Sequence, residues 1–242
     1  MLEKLYDAIR RDAKPEIMEI GACKFSSAKI YPVEEPEPKT LFVSTLTGLT
    51  DYLTANVDEL PKKDLLCHVE SPSQVTLYSR LVEPFMQRFA YVSARLTPLR
   101  IKFGEWIDPE QFNIMMQSCF VDPDDPAQAT SRSLILKYVA NMKSVQENAV
   151  CDDGVTQTVS VKSGIASVAN AALPNPVVLR PFRTFTEVEQ PASSFVFRVK
   201  NAGDGSFYYS LNEADGGAWR GEAMSNIKKY LEDNIKGLKV IA

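Results

Sequence analysis

SLNEADGGAWRGEAM, residues 210–224, lies where an alternating strand gives way to a helix, and its reading decides the fold class. Upstream, SFVFRVK (194–200) and SFYYSLNE (206–213) flank NAGDG (201–205), whose two glycines supply the positive-φ positions that a tight hairpin needs. Downstream, Trp219, Ala223, Ile227, Leu231 and Ile235 recur at steps of four and predict a helix over 218–235. LKVIA (238–242) then reads as an edge strand. At the join, Gly216 and Gly217 let the chain reverse, Asp215 accepts a backbone bond in the turn, and Trp219 opens the buried helix face. Lys228 with Glu232 and Lys229 with Asp233 decorate the wet face.

The same reasoning extends along the chain. LFV (41–43) is a short strand, and Thr45 or Thr47 caps a helix carrying Leu49, Leu53 and Val57. LLCHVE (65–70), VTLYSRL (75–81) and FAYVSARL (89–96) alternate faces and predict a three-stranded meander. In WIDPEQFNIMMQSCF (106–120), Asp108 is the N-cap, Pro109 the first helical residue and Gln111 the capping-box partner. Ile107 and Phe112 staple that helix, and Phe112, Met115, Met116 and Cys119 form its buried face. A second helix over 130–142 buries Leu134, Ile135 and Tyr138. Strands follow at 155–164 and 177–182, with Asp152 and Asp153 before Gly154 forming a hairpin turn. At the front of the chain, residues 2–11 form a short amphipathic helix, and KIYPVEEPEPK (29–39) is an extended connector. The sum is α+β, with mainly antiparallel sheets and several packed helices. An N-terminal arm spans 1–39 and a single domain spans 40–242, closed by a helix and a terminal strand.

Composition limits the chemistry. The 242 residues carry a net charge of −4, which speaks against a protein that coats nucleic acid or anionic membrane while leaving room for a local basic patch. No apolar run approaches a membrane span, and MLEKLYDAIRRDAK lacks an apolar signal core, so the expected setting is cytoplasmic with no membrane partner. Cys23, Cys67, Cys119 and Cys151 form no C-x-x-C pair and read as free, buried thiols. His68 is the only histidine, which removes histidine-rich metal sites, and alternation puts it opposite Leu65, Cys67 and Val69. The phosphate-cradle and nucleophile-elbow motifs are absent, and no cofactor is expected. Asp122, Asp124 and Asp125 of DPDDP suit either a divalent cation or a solvated loop ahead of a helix. Arg180, Arg183, Arg198 and Arg220 are candidates for an anion pocket, against the alternative of solvated strand arginines. Glu213 and Asp215 suit an acid–base pair, but the turn reading accounts for more of the surrounding residues.

The order of several segments resembles the YfdQ-like proteins of tailed phages and prophages. The segments are LFVSTLTGLTDYL, LLCHVESPSQVTLYS, FGEWIDPEQFNIMMQSCF, VKSGIA, LRPFRTFTEVEQPASSFVFRV, LNEADGGAW and VIA, covering residues 40–242. The resemblance implies a phage-encoded accessory protein in the host cytoplasm, and it brings no catalytic residue set. The leading expectation is a non-enzymatic binding protein that forms a homo-oligomer. Its candidate ligands are a host or phage protein, a nucleic acid or a nucleotide-like molecule. Two alternatives stand beside it: a metal-dependent enzyme on nucleotides or nucleic acid using the carboxylates near Asp215 or Asp124, and a virion component.

Overall fold

The computed structural model describes residues 17–20, 23–26, 37–83, 86–121, 131–143, 148–152, 157–161, 175–202 and 206–242. The chain divides into two units, residues 1–38 and 39–242. In the first, β1 (Ile17–Ile20) and β2 (Cys23–Ser26) pair as an antiparallel hairpin. The expected helix at 2–11 and most of the connector at 29–39 lie outside the described residues.

In the second unit β3 (Leu41–Val43) leads into α1 (Leu46–Ala55). Thr45 is the cap, its hydroxyl accepting from the Gly48 amide at 3.0 Å. The helix ends before Val57, which is 73% exposed past the left-handed cap residue Asn56, so Val57 does not join the buried face. β4 (Leu65–Ser71), β5 (Gln74–Ser79) and β6 (Ala90–Arg95) form the meander. α2 (Pro109–Ser118) starts on Asp108, which accepts from the Glu110 and Gln111 amides. α3 (Ser131–Lys143) packs on α2. β7 (Asn148–Asp152) and β8 (Gln157–Val161) form a separate antiparallel hairpin, with the expected Asp153–Gly154 turn outside the described residues. β9 (Val177–Leu179), β10 (Ser193–Asn201) and β11 (Phe207–Glu213) make a three-stranded antiparallel sheet. α4 (Trp219–Asn234) and β12 (Lys239–Ile241) close the chain.

The meander sits inside a five-stranded sheet of order β12-β4-β5-β6-β3. Both outer strands pair in parallel, β12 with β4 and β3 with β6. The antiparallel expectation therefore holds for the meander, while its two edges are parallel additions reached through helical crossovers. Helices α1 and α4 pack on this sheet. They bury Leu46, Leu49, Leu53, Ile227, Leu231 and Ile235 against Leu65, Cys67, Val69, Val75, Leu77, Val92 and Ala94. A second core lies on the three-stranded sheet under α2 and α3, built from Phe112, Phe120, Phe195, Phe197, Tyr138 and Tyr209 with Met115, Met116 and Ile135.

The chain passes between the two cores along three segments. Residues 96–106 lead from β6 to the second core, where Ile107 bridges Tyr209. Residues 180–192 loop out from β9 and return to β10, inserting Phe185 into the first core on the way. Residues 214–218 carry the chain from β11 into α4. The middle loop is tied down by buried Gln190. Its Oε1 accepts from the Arg183 and Thr184 amides, and its Nε2 donates to the Phe185 carbonyl at 2.9 Å. Thr184 Oγ1 donates to the Pro72 carbonyl at 2.6 Å, joining the loop to the β4–β5 turn.

Candidate functional site: a cleft where the two cores meet

The first two crossing segments, and the residues on either side of the third, border one open cleft of about 380 Å³. Its walls are apolar, from Pro98, Leu99, Ile101 and Phe103 of the first segment, Phe182 of the second, and Pro72 at the β4–β5 turn. Its polar end holds Arg183, Glu213, Trp219 and Arg220. The opening stretch of sequence is therefore a turn, as its glycines imply, and also the polar wall of this cleft.

The turn geometry follows from the residues. Gly216 and Gly217 have φ of 63° and 82°, a left-handed conformation that any side chain would strain. The Asp215 carboxylate accepts from the Gly217 amide at 3.0 Å. Trp219 is 9% exposed and Ala223, Ile227 and Leu231 follow it into the core at steps of four. A Cβ on Gly217 would collide with the Arg220 guanidinium, so the glycine also makes room for that side chain to lie across the turn.

Arg183 is the strut of the junction. Its side chain is 8% exposed, and Nη1 reaches the Glu213 carboxylate at 2.5 Å. Nη2 donates to the Ser193 hydroxyl. The guanidinium lies over the Trp219 ring at 4.0 Å from the centroid and near the Phe103 and Phe195 rings. Burial pulls its pKa below the ordinary value, against the opposing charges of Glu213 and Asp215. Burial pushes the Asp215 carboxyl up, but the Ser193 hydroxyl, the Gly217 amide and the Arg183 charge together outweigh it and hold that carboxyl below its usual value. Arg183 Nε, Asp215 Oδ2 and Trp219 Nε1 are each buried without a hydrogen-bond partner of ordinary geometry among the described residues. Three such groups so close together are unusual, because buried polar atoms are nearly always satisfied.

Arg220 differs from Arg183 in exposure and pairing. It is exposed, stacks at 5.2 Å from the Trp219 centroid, and has no hydrogen-bond or ion-pair partner among the described residues. It belongs to the first turn of α4, where no side chain caps the backbone amides. The structure thus brings Arg183 and Arg220 of the four candidate arginines to one cleft. Arg180 instead pairs with Glu189 at 3.0 Å in the open, and Arg198 sits on β10; neither lines this cleft.

The remaining candidates are placed as follows. His68 is half-buried on the face of β4 opposite Cys67. Cys67 is buried, with its thiol pushed up to about 12 by desolvation, and Cys119 is half-buried rather than fully buried. The side chains of Cys23 and Cys151, and all of Asp122, Asp124 and Asp125, lie outside the described residues. Among the described residues no group of three or more His, Cys, Asp or Glu is arranged to hold a metal ion. Among them, too, no helix is long and apolar enough to cross a membrane. No protein-family model matches the chain, and no curated protein or solved structure matches it.

Proposed function

We propose that the chain is a binding protein rather than a catalyst, and that its ligand is a small apolar molecule with one acidic group, held in the cleft between the cores. The observation that carries this reading is Arg220. It is a guanidinium without a hydrogen-bond or ion-pair partner among the described residues, at the polar end of an otherwise apolar cleft and beside the uncapped first turn of α4. A guanidinium fork suits a carboxylate or a single phosphate. Arg183 and Glu213 neutralise each other, so the end of the cleft carries little surplus positive charge beyond Arg220. That balance fits a monoanion better than a polyphosphate.

The enzyme alternative finds less support here. A general acid or base works best with a pKa near the working pH, whereas Asp215 is held below its ordinary value. Self-assembly belongs to the proposal as well. It is supported by the edge strand β3, where Leu41 and Phe42 are 48% and 57% exposed. The segment order shared with YfdQ-like proteins supports a setting inside a phage-infected cell.

Native mass spectrometry of protein purified gently from phage-infected cells tests the reading, together with a fluorescence titration. Trp106→Phe leaves Trp219 as the sole tryptophan, since the chain has 2. A retained small mass, or a saturable change in Trp219 emission with octanoate that Arg220→Gln weakens about tenfold, is expected. An apo species whose Trp219 emission ignores octanoate overturns it.

A further inference from the structure

A second cavity of about 360 Å³ opens at one end of the five-stranded sheet, formed by residues with no part in the cleft. Lys63, Arg80, Arg88 and Lys239 line it, with Asp64 the single carboxylate among its lining residues. The topology dictates this convergence. β12 runs parallel to β4, so Lys239 at the start of β12 stands beside the start of β4, just past Lys63. β5 runs antiparallel to β4 and ends at Ser79, so Arg80 emerges at the same end. β6 runs antiparallel to β5 and begins at Ala90, which brings in Arg88 two residues before it. Four cations widely separated in sequence thus meet at one sheet end.

These cations stand on a rigid base. The Ser79 amide donates to the Phe89 carbonyl and the Phe89 amide to the Ser79 hydroxyl, both at 2.9 Å. Arg88 Nη1 donates to the Ser79 carbonyl at 2.8 Å, which fixes its stem while leaving its other N–H groups free. The side chains of Lys63, Arg80 and Lys239 have no hydrogen-bond or ion-pair partner among the described residues. A cavity with three cationic charges in excess is unexpected in a chain of net charge −4. Like charges held together repel one another, and an anion that bridges them relieves the repulsion. Two arginine forks and two ammonium groups match the several oxygens of a multiply charged phosphate better than a lone carboxylate. Among the described residues, the apolar part of the lining is leucine, with no aromatic ring to stack a base.

We propose that this cavity is a phosphate site that takes ligands of two or more negative charges by their oxyanions and not by a base. Two sources share that chemistry, a small molecule carrying a diphosphate and the backbone of a single-stranded nucleic acid. Calorimetric titration of the full chain with pyrophosphate and, separately, with a short oligothymidylate tests the site and tells the sources apart. Arg80→Gln/Arg88→Gln and Lys63→Gln/Lys239→Gln are the variants, the second pair leaving the Arg88–Ser79 bond intact. Either pair is expected to weaken binding at least about tenfold. If the oligonucleotide is the better ligand, its affinity falls steeply between about 50 and 200 mM salt, and the source is a nucleic-acid backbone. If pyrophosphate is the better ligand, the source is a small phosphorylated molecule. Failure of both to bind at low salt, or binding that both double variants leave unchanged, overturns the proposal.

Discussion

The five-stranded sheet is packed with branched aliphatic side chains, Leu46, Leu49, Leu77 and Leu231 among them, whereas the three-stranded sheet is packed with rings. In the second core Phe197 stacks on Tyr209 with centroids 5.9 Å apart, and Phe112 lies within 5.7 Å of Phe197 and 5.2 Å of Tyr209. Tyr138 meets Phe197 edge-on at 5.8 Å. Aliphatic chains gain from many small contacts and can shift to fill a gap, while rings depend on the placement of particular neighbours. A three-stranded sheet also offers little area of its own, so its stability rests on the rings and on the two helices above them. Phe197→Ala should therefore be the more damaging truncation, at about 3–5 kcal/mol, and Leu77→Ala in the other core the milder, at about 3 kcal/mol. Urea unfolding of both variants measures the contrast, and equal losses would erase it.

Polar contacts also join the cores. Arg183 binds Glu213 and Ser193 from one side and covers Trp219 on the other. Arg183→Met keeps most of the stem but removes the charge and both hydrogen bonds. A cost of about 2 kcal/mol is expected, because Glu213 is 36% exposed and water compensates part of the loss. Near-UV signals report the rings and far-UV signals the helices of both cores. Their midpoints should coincide in the parent chain and separate in the variant; coincidence in both would mean that apolar contact alone couples the cores.

The elements of both cores were legible in the sequence because each carries a local signal. The Asp108–Pro109 start of α2, the four-residue steps of α4 and the alternation of Leu65, Cys67 and Val69 are written within a few residues. The division into two cores was not, since Phe185 sits between strands of one core and is buried in the other. Only the tie between Thr184 and Pro72, far away in sequence, reveals why. The site residues divide in the same way. Arg220 follows a legible turn, whereas Arg180 and Arg183 share one short stretch and the same local appearance, yet only Arg183 lines the cleft while Arg180 faces Glu189 in the open. Lys63, Arg80, Arg88 and Lys239 carry no motif at all, and strand directions alone bring them together.

The junction should also answer to pH, more weakly than to loss of the strut. Asp215 has its folded pKa lowered, so its carboxylate contributes stability that is fully present above the ordinary value of about 4 and is lost as pH falls through the depressed folded value. Asp215→Asn keeps an oxygen to accept from the Gly217 amide but removes the titration. Its stability profile should match the parent's shape at neutral pH and be flatter on the acid side. A parent profile as flat as the variant's would show that the Ser193 hydroxyl, the Gly217 amide and the Arg183 charge together do not outweigh the burial of this carboxylate.

The smallest effect should come from the ring core, and with the opposite sign. Tyr138 and Tyr209 both bury their hydroxyls without a hydrogen-bond partner among the described residues, and burial raises both phenol pKa values, that of Tyr138 to about 12. A buried hydroxyl without a partner costs stability, while the ring that carries it is worth keeping. Tyr209→Phe preserves the stack on Phe197 and the contact with Phe112 while removing only the oxygen. Stability should rise, by up to about 1 kcal/mol in urea unfolding. A fall of similar size would mean that the two hydroxyls share a buried water, since removing one of them then strands the water and the other hydroxyl. The aliphatic core offers a matched control, because Leu77 carries no polar atom and every truncation there loses contact alone. A gain in the ring core beside a loss in the aliphatic one would show that the rings, and not their hydroxyls, hold the three-stranded sheet together.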